Sequence, residues 1–166
     1  DEPILQHPTD DDYYLTHNEF DRESIWGAYF VPSEWNVSNV DDMYRVTVIF
    51  GHSNGNSMHK KFSVLKYFRD VNFAKEHRYI YLTLGEQQTR WKIFAVADYP
   101  IDPSYTIANP DDSYFLTEIA SMKAYSYNQY ATEVGLNDKV LILSTCSGSD
   151  NYDTRFIVCA KLDQVF

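Results

Sequence analysis

Val140-Leu141-Ile142-Leu143-Ser144-Thr145-Cys146-Ser147-Gly148-Ser149-Asp150 is the segment around which the architecture and the chemistry of this chain both turn. Residues 140–145 form an apolar run that reads as a buried strand, and the serine- and glycine-rich residues after Cys146 read as loop. A cysteine at that junction is poised to be partly exposed, where its thiol is available for chemistry. A small buried hydrophobe is the plainer reading of any cysteine. It suits Cys159, set inside Phe156-Ile157-Val158-Cys159-Ala160, better than it suits Cys146.

Beyond the polar loop 147–154 comes another apolar run, 156–162, and the two runs pair as a hairpin. Cys146 then stands at the open end of the hairpin and Cys159 well inside the next strand, so their α-carbons fall outside the ~7 Å reach of a disulfide. The same geometry brings Arg155, which opens the final strand, to the end of the sheet where Cys146 lies. An arbitrary arginine more often forms a surface ion pair, here with Asp150 or Asp153. Beside a thiol, a permanent cation favours the thiolate, and a guanidinium holds a developing oxyanion without losing its proton.

Further strands are expected at 25–31, 44–50, 79–84 and 89–99, the last two flanking the turn-like Gly85-Glu86-Gln87-Gln88. Two stretches read as helices. In 57–69, Met58, Phe62, Leu65 and Phe68 share one face after the cap candidate Ser57; in 112–130, Phe115, Ile119 and Met122 do so after Asp111 and Asp112. Residues 1–24, with Pro3, Pro8 and Asp10-Asp11-Asp12, read as an irregular or briefly helical lead-in. Many strands, few helices and no βα alternation predict a mainly β barrel or sandwich with peripheral helices, not a doubly wound parallel sheet. With no repeat or linker, residues 1–166 are expected to be one domain, a size that buries about 70% of the unfolded surface.

Fourteen Lys and Arg against 24 Asp and Glu leave a net charge of −10, which argues against a nucleic-acid partner. A hydrophobic content of 44%, with 14 tyrosines, excludes a disordered acidic tail. No run approaches the roughly 20 apolar residues of a membrane span, and the chain starts at Asp1, so any secretory or anchoring segment is expected upstream. Two cysteines without CxxC spacing make neither a disulfide scaffold nor a zinc site.

His52 completes the candidate chemistry. Of five histidines it alone terminates an apolar strand, 44–50, through Gly51, whereas His7, His17, His59 and His77 lie in polar or helical contexts. A thiol at its reference pKa of ~8.5 is only a few per cent ionised at neutral pH, so a nucleophilic cysteine needs a base or a cation nearby. His52 offers proton transfer and Arg155 offers charge. No HxH or HxxxH spacing accompanies His52, so no metal is expected there.

Together, Phe50-Gly51-His52-Ser53, Ser57-Met58 ahead of a helix, Leu143-Ser144-Thr145-Cys146 and Arg155-Phe156-Ile157-Val158 resemble the sortases, transpeptidases of the Gram-positive cell surface. The order His, Cys, Arg is theirs, as is a Leu-x-Thr-Cys strand end with Arg nine residues later. The helical segment 112–130 before the cysteine strand resembles the class B branch, as do Tyr13-Tyr14-Leu15 with His17-Asn18, and Tyr79-Ile80-Tyr81-Leu82. The chain departs from the family at Ile142, where a Thr is usual, and at Ser147 and Gly148, where class B members often carry an acidic group. Little precedes Tyr13, so the N-terminal helices of class B are short or truncated.

The resemblance implies a closed eight-stranded β-barrel with peripheral helices, including a long helix between the sixth and seventh strands. It implies a two-step acyl transfer without a cofactor: Cys146 cleaves a C-terminal sorting signal after Thr, and an amine of the cell wall or of a pilin resolves the thioester. His52 moves the protons and Arg155 holds the oxyanion. It places the enzyme at the outer face of the cell membrane, on an anchor upstream of this chain. Ser144, Thr145 and the segment up to Asn137 would wall the peptide groove, with Leu15 contributing. Tyr125, Tyr127 and Tyr130 are groove aromatics or barrel packing. Two rival functions stand beside this one. A cysteine peptidase passes the acyl group to water, and a secreted carbohydrate-binding β-domain, suggested by the Trp and Tyr content, has no use for Cys146. An inactive scaffold of the same fold is a third possibility.

Overall fold

The computed structural model describes residues 2–53, 60–101, 103–146 and 153–166, the side chains of Pro103 and Cys146 excepted. In chain order it contains β1 (Ile4–Leu5), α1 (Tyr13–Thr16), β2 (Tyr29–Phe30), β3 (Val46–Phe50), a 3-10 helix (Lys61–Arg69), α2 (Val71–Glu76) and β4 (Tyr79–Leu84). Then come β5 (Gln87–Pro100), a 3-10 turn (Pro103–Thr106), α3 (Asp112–Tyr125), β6 (Val140–Cys146) and β7 (Thr154–Val165).

The strands form one seven-stranded curled sheet in the order β1-β2-β3-β6-β7-β5-β4. This corrects the expected closed eight-stranded barrel: among the described residues β1 and β4 are the two ends of the sheet and do not pair with each other. The expected strand 25–31 shows why the first edge is short. Gly27 has a positive φ of 54°, which breaks extended backbone, and Pro32 brings no N–H to a ladder, so only Tyr29 and Phe30 pair. A cavity of about 730 Å³ opens between the two edges, lined by Ile4 and Val31 on one side and Leu82 and Leu84 on the other.

Both faces of the central strands are covered, which is why their sequences are continuously apolar rather than alternating. Leu141 and Leu143 face one core with Phe62, Leu65 and Phe68 of the 3-10 helix; Val140 and Ile142 face a second with Phe115, Ile119 and Met122 of α3. In β5, Ile93 and Val96 belong to the first core, while Phe94 and Ala95 both belong to the second. Two successive residues on one face require an irregularity, and the register against β7 shifts between Ile93 and Ala95.

The helices differ from expectation in informative ways. Residues 61–69 form a 3-10 helix, not an α-helix, and Ser57 and Met58 lie outside the described residues. Phe62, Leu65 and Phe68 recur every three residues, the spacing that a 3-10 helix aligns on a single face. The second helix, α3, has its predicted cap, Asp111 accepting from Tyr114 N–H at 2.9 Å, but ends at Tyr125 rather than 130. Ser126 is extended (φ −65°, ψ 132°), and its hydroxyl accepts from Val96 N–H and donates to the carbonyl of Asn128, tying the chain to β5 instead. This helix lies between the fifth and sixth strands, not between the sixth and seventh.

Candidate active site

Parallel pairing of β3 with β6 aligns Phe50 with Ser144, and Gly51 N–H donates to the Ser144 carbonyl at 3.2 Å. His52 follows Gly51 at the same end of the sheet as Cys146. On its other flank, β6 pairs antiparallel with β7, and Cys146 is the direct partner of Arg155. Cys146 and Arg155, nine residues apart, are thus strand partners, and His52, 94 residues before the cysteine, follows the end of β3 on the other flank of β6. Gly51 is needed for this: a Cβ there would lie 2.7 Å from both Phe62 and Tyr29 side chains, too close for the strand end to stay in place.

A cleft of about 420 Å³ opens at that end of the sheet, and His52, Arg155, Leu15, Ser144 and Thr145 all line it. The His52 ring is held by its backbone neighbour: Nε2–H donates to the Leu15 carbonyl at 2.7 Å. A carbonyl oxygen only accepts, so this bond puts the proton on Nε2. The Ser144 hydroxyl is buried and bonded to the Tyr105 hydroxyl at 3.2 Å. The Thr145 hydroxyl is also buried but has no hydrogen-bond partner in the described structure.

Tyr125 and Tyr127 are not among the residues lining this cleft. Tyr125 rests edge-on against Tyr99, 5.3 Å between ring centres, and Tyr99 pairs with Arg155 in the sheet. The Tyr127 hydroxyl donates to Asp98, and desolvation together with that carboxylate raises its pKa. Tyr130 packs against the first core. The other cysteine is fully buried across from Ile142, and loss of water alone pushes its thiol well above the usual range. Cys159 is therefore packing, and as a thiol it is inert. Among the described residues no group of three or more His, Cys, Asp or Glu side chains is placed to hold a metal ion.

Several lining residues carried no signal in the sequence. Asp11, Asp12 and Glu34 reach the cleft from loops, and the acidic run read as solvated lead-in. Trp35 and Thr106 arrive from segments with no periodicity to mark a functional face, and Phe30 from a stretch read only as a strand. The Leu15 contact is made by a backbone atom, which no side-chain pattern announces.

Solved structures that share this architecture include sortases of class B. The sortase B structure from Listeria monocytogenes matches 97% of this chain and 86% of its own, at 26% identity and a TM-score of 0.81. The Staphylococcus aureus sortase B–substrate complex shares the fold over 98% of this chain and 73% of its own, at 20% identity and a TM-score of 0.84. The chain therefore has the sortase fold. Among curated proteins, sortase B of Listeria monocytogenes is 27% identical over 164 residues, which is 98% of this chain and 64% of the relative's length. No family model matches. In sequence and in fold together, the similarity is to the class B sortases.

Proposed function

We propose that this chain carries the catalytic part of a sortase-type cysteine transpeptidase. The observation that supports it best is that Cys146 is the strand partner of Arg155, which lines one cleft together with His52. In the first step the Cys146 thiolate attacks the carbonyl carbon after the Thr of a C-terminal sorting signal. The C–N bond breaks, His52 gives its proton to the leaving amine, and a thioester remains. In the second step an amine attacks the thioester, His52 takes a proton from it, and the thiolate leaves. Arg155 stabilises the oxyanion in both steps, a contribution of about 3–4 kcal/mol for one such donor.

Leu15, Ser144 and Thr145 form the peptide groove in this reading. Tyr125 and Tyr127 enter only as packing behind the Arg155 end. Three acidic residues, Asp11, Asp12 and Glu34, line the same cleft, and their negative charge suits an acceptor that arrives as an ammonium ion, such as a cell-wall cross-bridge amine or a pilin lysine. The enzyme would work at the outer face of the cell membrane, attaching surface proteins.

The test is incubation with a library of pentapeptide sorting signals, with and without an amine, read by intact mass. Wild type should form an acyl adduct mapping to Cys146, absent in Cys146→Ala, and release it as an amide when amine is added. Release only as free acid would make the enzyme a peptidase, and no adduct with any peptide would end the proposal.

A further inference from the structure

The short helix α1 is four residues long, so none of its carbonyls has an i+4 partner within the helix. Each finds one outside. Tyr13 O is met by the His17 ring at 3.1 Å, Tyr14 O accepts from Ala28 N–H at 3.0 Å, and Thr16 O accepts from Ser24 N–H at 2.8 Å. Leu15 O is met by His52 Nε2–H. Segment 24–28 therefore lies against α1 on the same side as the imidazole, and Gly27 is crowded between them. A Cβ on Gly27 would collide with the Tyr14 carbonyl oxygen and stand 3.0 Å from His52 Cδ2 and 3.1 Å from Leu15 O. Its φ of 54° is a conformation that glycine adopts without strain.

We infer that Gly27 is a positioning residue that, by lacking a side chain, lets the Leu15 carbonyl hold neutral His52 as its Nε2–H tautomer and leaves Nδ1 as the ring atom that exchanges protons. With Nε2 carrying the proton and bonded to Leu15, only Nδ1 has a lone pair to offer. Among the described residues the tautomer is set by a backbone carbonyl, where a side-chain carboxylate often orients a catalytic imidazole. The inference rests on the transpeptidase reading for its kinetic consequence, but not for the tautomer itself.

The experiment is a long-range ¹H–¹⁵N imidazole spectrum of the intact chain at pH 8, with the His52 signals assigned by their loss in His52→Gln. Wild type should show the Nε2–H pattern, and Gly27→Ala should lose it. A second variant covers the case in which Gly27→Ala does not fold: the 15–16 peptide bond is replaced by an ester, which weakens the Leu15 carbonyl as an acceptor and adds no atom at the site. In it the Nε2–H pattern should weaken, and kcat for peptide-to-amine transfer should fall about tenfold, the size of one lost hydrogen bond, with the peptide KM within twofold. An Nδ1–H pattern in wild type, or an unchanged pattern in the ester protein, overturns the inference. The spectrum needs no substrate, so absence of a Cys146 adduct in wild type would remove the proposed activity and leave the tautomer result standing.

Discussion

Lys139 precedes the cysteine strand, and its ammonium closes the far end of the molecule. Nζ donates to three backbone carbonyls of one loop: Val40 at 2.6 Å, Asp41 at 2.9 Å and Met43 at 2.6 Å. Val40 and Met43 are buried in the first core, so the ammonium docks a loop whose apolar side chains complete that core. Lys139→Met keeps the aliphatic stem and removes all three donors. Each bond to a charged donor contributes roughly 1.5–3 kcal/mol by itself. The three share one ion that gives up hydration to make them, and the Asp41 carbonyl is exposed enough to recover water, so the loss is about 3 kcal/mol in total. For a chain of this length that is about 6–12 °C in Tm. Lys139→Arg should recover only part of it, because a planar fork does not reach three carbonyls grouped around one point. Lys139 is seven residues from Cys146 along the strand, about 23 Å, so activity per folded molecule should be unchanged. Scanning calorimetry with a transfer assay at 20 °C reads both quantities. A Tm change below about 2 °C, or activity lost while Tm holds, would refute this account of the triad.

The thiols should separate by reactivity. Iodoacetamide on the native protein at pH 8 should label Cys146 and leave Cys159 unmodified until denaturant is added, because Cys159 is sealed and its thiol is raised by burial. Labelling of Cys159 under native conditions, read by peptide mapping, would contradict the packing described. Tyr29 gives a pH test. Burial, and secondarily Glu2, pushes its pKa up to about 12 from 10.0. The folded protein thus holds the phenolic proton longer than the unfolded chain, and the stability it contributes is whole below pH 10 and is lost as pH rises from 10 through 12. Tyr29→Phe should show a shallower fall of Tm over that window than wild type. Identical slopes would mean that Tyr29 is more open to water than the structure places it.

The sheet was largely legible because its strands are covered on both faces. Val140–Cys146 and Tyr79–Leu84 agree with their apolar or β-branched runs within a residue or two. Arg155 could be brought to the Cys146 end of the sheet because two successive apolar runs pair as a hairpin, and the structure makes the two residues direct partners. The extent of pairing was not legible. Whether residues 25–31 extend a strand depends on a positive φ at Gly27 imposed by a neighbouring helix, and periodicity carries no record of that. The 3-10 helix was misread for a related reason: Phe62, Leu65 and Phe68 satisfy a period of 3.0 and a period of 3.6 about equally well over so few turns. The end of α3 was set by Ser126 bonding to β5, a partner thirty residues away.

Local residue choice was enough to specify which side chains carry the chemistry, since a thiol at a strand mouth, an imidazole after a glycine and a guanidinium opening a strand are each visible in a few adjacent letters. Their convergence, the acidic rim and the proton's place on the His52 ring came from the assembled molecule. Hydrogen bonds to backbone carbonyls and the crowding around Gly27 depend on distances between segments far apart in the chain, and a linear order of residues does not contain those distances.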